Sequence, residues 1–197
     1  MSESVGSDLP FRVIAILQDS QPAEEILQLC EDVPTVGVGV MLRDADHSPN
    51  VVQNLAKSLL ANTLPQNLTL ITNGCSVEEI GWRHLTSAEL RRKEKPVSPF
   101  GASAHNYAEA QLAEQFGASY ITCSPVFPTP SKPKLGSIGL IELGQYNNLV
   151  GIPLFALGGI TTVDRVKECL DAGCWGVAGI SFARNSTLFR EILSLFS

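Results

Sequence analysis

The feature that most limits the fold of this chain is an alternation. Eight short apolar runs, many rich in β-branched residues, recur along the sequence, and each is followed by a stretch with helical spacing or a helix-start signal. The runs predicted as strands are residues 11–17, 35–42, 68–72, 82–85, 97–102, 120–123, 153–157 and 175–179. The predicted helices cover residues 23–30, 50–61, a short piece opening at Ser76, 87–93, 106–116, 138–147, 162–172 and 186–196. Most of the strands are continuously apolar, which fits parallel strands covered on both faces. Eight such units predict an α/β fold, a (β/α)8 barrel, near its lower length limit of about 200 residues. The barrel is assigned to residues 11–197 as one domain, after a polar, flexible tail of residues 1–10. An open doubly wound sheet would place a glycine-rich phosphate loop after the first strand. Here Leu17-Gln18-Asp19-Ser20-Gln21 follows, without glycine, and the paired glycines come late.

A barrel of this kind carries its chemistry at the C-terminal ends of its strands. Arg43, Asn73 and Glu89 follow strands two, three and four, and Ser103 and His105 follow strand five. The loop after strand six has four prolines between Pro125 and Pro133. Proline fixes φ and lacks an N–H, so this loop is stiff and extended, and it would hold Thr129, Ser131 and Lys132 ready for an anion. Gly158-Gly159 after strand seven lets backbone N–H groups approach an oxyanion ahead of a helix N-terminus. Gly179 and Ser181, one unit later, supply the facing half. Loops after strands seven and eight form a phosphate site in many such barrels.

Composition narrows the function classes. The net charge of −6 argues against nucleic acid as a partner. No apolar run reaches the roughly 18–20 residues that span a membrane, and the N-terminus lacks a basic region followed by an apolar core. Cys30, Cys75, Cys123, Cys169 and Cys174 are odd in number and form no CxxC, so a reducing, cytoplasmic setting is expected. His47, His84 and His105 show no metal-ligand spacing and read as structural or solvated.

Several stretches together resemble one family. These are Gly101-Ala102-Ser103-Ala104-His105, Gly117-Ala118-Ser119-Tyr120, the run from Ser124 to Pro133, and Ala156-Leu157-Gly158-Gly159-Ile160. They resemble thiamin phosphate synthase and its relative, the thiazole tautomerase, from about residue 101 to 183. The resemblance implies a (β/α)8 barrel that joins hydroxymethylpyrimidine diphosphate to a thiazole phosphate and releases pyrophosphate. It implies Mg2+ as a cofactor, held through Glu89 and Asn73. It also implies Lys132 and Arg43 on the diphosphate and Ser103 on the pyrimidine or diphosphate. Thr129, Ser131, Gly159, Gly179 and Ser181 would hold the thiazole phosphate.

The N-terminal half departs from the family pattern. Where the family has Gln-x-Arg-x-Lys, this chain has Met41-Leu42-Arg43-Asp44-Ala45, so the glutamine and lysine are missing. Where it has Asn-Asp-Arg, this chain has Thr72-Asn73-Gly74. In place of His-Leu-Gly-Gln-x-Asp it has His84-Leu85-Thr86-Ser87-Ala88-Glu89. Three readings stand: a divergent synthase, a metal-free thiazole-phosphate isomerase with His105 as base, and a non-catalytic binder of thiazole or thiamin phosphate. Homo-oligomerisation is compatible with each.

Overall fold

The computed structural model describes residues 9–17, 23–43, 49–93, 95–97, 99–129 and 136–197. The tail of residues 1–8 lies outside them. Eight parallel strands close into a barrel in sequence order: β1 (Val13–Leu17), β2 (Val38–Leu42), β3 (Leu68–Asn73), β4 (Trp82–Leu85), β5 (Phe100–Ala104), β6 (Tyr120–Cys123), β7 (Leu154–Leu157) and β8 (Gly176–Gly179). Val13 pairs with Val38 on one side and Val177 on the other, which closes the ring. The helices are α1 (Ala23–Asp32), α2 (Pro49–Leu60), α3 (Ser87–Arg92), α4 (Tyr107–Phe116), α5 (Gly139–Leu149), α6 (Val163–Asp171) and α7 (Ser186–Leu193), with a 3-10 turn at Phe182–Arg184.

The second strand starts at Val38 rather than at residue 35, and two further predictions fail locally. No helix follows β3: Ile80 N–H bonds the Val77 carbonyl at 3.0 Å, making one turn, and β4 begins at Trp82 before a second turn can form. The fifth strand starts at Phe100, not at residue 97. Pro99 has no N–H to donate, and its carbonyl instead takes the Arg83 N–H at 3.1 Å as the lead-in to the ladder.

Successive strand residues point to opposite faces, and both faces are covered. Val13, Ala15 and Leu17 pack outward in the layer between strands and helices, while Ile14 and Ile16 point into the barrel. The lower interior is an aromatic plug. The Phe11 ring meets Trp82, Tyr120 and Phe155 at centroid distances of 5.4, 5.5 and 5.8 Å. Gly101 is what admits it, because a Cβ there would lie 2.1–2.5 Å from Tyr120 ring atoms.

Candidate active site

Above the plug the interior changes character. In five consecutive strands the inward residue is apolar, aromatic or glycine, and two residues later it is polar: Met41 then Arg43, Ile71 then Asn73, Trp82 then His84, Gly101 then Ser103, and Tyr120 then Thr122. The ladder pairs Asn73 with His84 and Ser103 with Thr122, so these side chains meet in one layer.

His84 is at its centre and fully enclosed. Its Nδ1 lies 3.1 Å from the Tyr120 hydroxyl, and its Nε2 lies 3.0 Å from Ser103 Oγ and 3.5 Å from Thr122 Oγ1. Asn73 Nδ2 donates to the His84 carbonyl at 2.8 Å. Burial, followed by the nearby charges of Arg43 and His105, pushes the His84 pKa down to about 3. The ring is therefore neutral at any physiological pH and carries one donor and one acceptor nitrogen. It joins the Tyr120 hydroxyl to the Ser103 hydroxyl as a fixed relay. Burial raises the Tyr120 pKa, so the phenol stays protonated.

His105 is held differently. Its Nδ1 lies 3.0 Å from the Ser124 carbonyl, which can only accept, so Nδ1 carries a proton. The His105 backbone N–H donates to Glu109 Oε2 at 2.9 Å.

Asn73, His84, Ser103, His105 and Thr122 line a cavity of about 230 Å3 that also takes in Arg43, Ser87 and Arg91. A second cavity of about 380 Å3 lies beside it, lined by Thr129, Gly158, Gly159, Gly179, Ser181 and Arg184 among others. Ile16, Arg43, Ser124 and Leu157 line both, so the two form one cleft with a shared wall. Arg43 Nε is buried without a hydrogen-bond partner among the described residues, and burial lowers its pKa. A buried guanidinium donor without a partner is costly unless an acceptor reaches it.

The larger chamber depends on its glycines. Gly158 and Gly159 sit at φ +97° and +71°, where a side chain is strained. A Cβ on Gly158 would meet Pro125 at 2.9 Å, and one on Gly159 would meet Phe127 Cβ and O at 2.7 Å. The loop after β6 lies along them through two bonds: Val126 N–H to the Leu157 carbonyl at 2.9 Å, and Phe127 N–H to the Gly158 carbonyl at 3.1 Å. Arg165 closes the back, donating to the Gly159 carbonyl and stacking 4.7 Å above the Phe127 ring.

Arg43, Asn73, Ser103 and His105 thus gather in the smaller chamber, and Thr129, Gly158, Gly159, Gly179 and Ser181 in the larger. Ser131 and Lys132 lie outside the described residues. Glu89 lines neither chamber. Its Oε2 accepts from the Thr86 N–H and hydroxyl, both at 2.8 Å, and its Oε1 pairs with Arg83 at 3.0 Å. Magnesium favours charged oxygens in a strict octahedron. With Glu89 spent on its cap and Asn73 offering only an amide oxygen, this donor set does not fit that ion. Among the described residues no group of three or more His, Cys, Asp or Glu side chains converges on a metal position. Arg91, Thr122 and Arg184 were not singled out as site residues from the sequence, and His84, read there as structural or solvated, is in fact buried in the chamber wall. The signal for His84 and Thr122 was their position two residues after Trp82 and Tyr120 on the same strand face.

The comparisons with known proteins agree with this architecture. The sequence profile of the thiamine monophosphate synthase family matches residues 13–183. The chain belongs to that family. A provisionally named thiamine-phosphate synthase 2 of Aquifex aeolicus (strain VF5) is 36% identical over 183 residues, covering 88% of this chain and 97% of that relative. The thiamine-phosphate synthase of Shouchella clausii (strain KSM-K16) is 29% identical over 184 residues, covering 87% of this chain and 88% of its own. A solved thiamine phosphate pyrophosphorylase from Pyrococcus furiosus superposes with a TM-score of 0.65 over 94% of this chain and 96% of its own. At 21% identity it speaks for the fold. Among the described residues no helix is long and apolar enough to cross a membrane.

Proposed function

We propose that this chain is a thiamine-phosphate-synthase-type transferase of thiamin biosynthesis, acting in the cytoplasm on two small phosphorylated substrates. The observation that carries the reading is the paired cleft: two chambers, each with an anion-competent end, sharing Arg43 in their common wall. The larger chamber, with Gly158, Gly159, Gly179, Ser181 and Thr129, takes the thiazole phosphate. The smaller takes the pyrimidine, with Ser103 as a hydrogen-bonding group and the diphosphate toward Arg43. The family and the relatives reported above are synthases by name, which favours this reading over an isomerase or a non-catalytic binder.

The chemistry is charge separation followed by capture. The bond from the pyrimidine methylene to the diphosphate oxygen breaks, and the electron pair leaves with pyrophosphate. The thiazole nitrogen donates its lone pair to that methylene, giving a thiazolium product and conserving charge. What the protein supplies is fixed positive charge where negative charge develops, and a walled space where the cation meets nitrogen before water. Arg43 contributes to the first. Leu157 and Ile16 contribute to the second by lining the junction with apolar surface.

The test is direct. Incubated with both phosphorylated precursors, with and without added magnesium, the protein is expected to form thiamin phosphate and pyrophosphate in equal amounts. Absence of both products in either condition, from a protein that binds each precursor, overturns the transferase reading.

A further inference from the structure

The family pattern places a lysine where this chain has Ala45, leaving Arg43 alone on that strand end. A second guanidinium nevertheless reaches the smaller chamber from another element. Arg91, in the last turn of α3, lines that chamber together with Arg43, Ser87 and Ser103.

Its position is built rather than incidental. Arg91 Nη1 pairs with Glu109 Oε1 and donates to Ser87 Oγ at 3.2 Å. Glu109 is buried, and its other oxygen is fixed by the His105 N–H. Glu109 also starts α4, where its own N–H is bound by the Asn106 cap at 2.9 Å. A buried carboxylate anchored at both oxygens holds one terminal nitrogen, Nη1, of a planar guanidinium. The other N–H groups of Arg91 make no hydrogen bond among the described residues. A guanidinium presents five donors in a fixed fork, so with Nη1 held by the carboxylate, Nε and Nη2 are left for a phosphoryl oxygen. No carboxylate lines this chamber among the described residues, so an anion there meets two guanidinium groups, with the Glu109 carboxylate behind Arg91 offsetting part of its charge.

We infer that Arg91, positioned by Glu109, is a substrate-anion-binding residue that replaces from α3 the cation absent at residue 45. This rests on the reading of the smaller chamber as the diphosphate end. It makes Arg91 specific to the diphosphate substrate, with no contact to the thiazole phosphate.

Calorimetry with inorganic pyrophosphate tests it on the full chain. Arg91→Ala is expected to weaken pyrophosphate binding about tenfold or more, the loss of one charge-assisted hydrogen bond, and Arg91→Lys to restore part of it. In the coupling assay Arg91→Ala raises KM for the diphosphate substrate and leaves KM for the thiazole phosphate unchanged. Glu109→Gln separates binding from the structural α3–α4 contact. It removes the charged clamp but keeps Arg91, so thermal stability falls as in Arg91→Ala while pyrophosphate affinity falls less. A wild-type protein that binds no pyrophosphate, or an Arg91→Ala variant with unchanged affinity, would each overturn the inference. Arg91-dependent pyrophosphate binding without coupling activity would uphold it and remove the transferase reading instead.

Discussion

At the scale of single residues, His84 sets the chemistry of the chamber floor. Its folded pKa, near 3, lies below the ordinary histidine value of 6.5. Between those two values the unfolded chain binds a proton that the folded chain refuses. The stabilisation is therefore complete above about pH 6.5 and is lost as pH falls toward 3, at up to about 1.4 kcal/mol per pH unit from this group. Denaturant midpoints measured from pH 7.5 to pH 4.5 should fall with acid, and His84→Gln should flatten that slope while lowering stability at pH 7.5. A wild-type slope unchanged by the substitution would show that His84 is not the group responsible. Glycine carries a different kind of constraint. Gly159→Ala places a side chain at φ +71° against Phe127. Strain of about 1–3 kcal/mol is expected, with phosphate affinity in the larger chamber reduced roughly tenfold by titration.

At the scale of elements, α3 shows why part of the site was legible and part was not. The sequence Thr86-Ser87-Ala88-Glu89 is a capping box, and the structure contains both of its reciprocal bonds. The same glutamate also occupies a position where the family pattern has an aspartate, and the resemblance points to a metal ligand. Two signals compete for one side chain, and in the structure the hydrogen bonds of Glu89 go to the cap and to Arg83. Thr86→Ala should cost about 1 kcal/mol of stability, measured by chemical denaturation, and should loosen the helix that carries Arg91. Strand existence was readable throughout, because burial on both faces makes a parallel strand apolar along its length. Where a strand begins was less readable: the fifth starts three residues later than predicted, just past Pro99 and its carbonyl. Arg91 and Arg184 were not readable as site residues, since their relevance comes from tertiary approach and not from spacing.

At the scale of the whole molecule, the barrel is a plug beneath a polar layer, and Tyr120 belongs to both. Its ring packs against Phe11 and Phe155 below, and its hydroxyl binds His84 above. Gly101→Ala should displace that ring. Overpacking of about 1–3 kcal/mol is expected, near 2–4 °C in Tm for each kcal/mol, together with a loss of coupling activity although residue 101 lines neither chamber. Unchanged activity in a destabilised Gly101→Ala protein would separate the plug from the layer above it.

The shared wall has a thermodynamic meaning of its own. Under the proposed function, a single guanidinium lining two compartments would couple their ligands, because an anion that draws Arg43 on one side changes what the other side meets. Such linkage is reciprocal: the factor by which one substrate alters the affinity of the second equals the factor in the opposite direction.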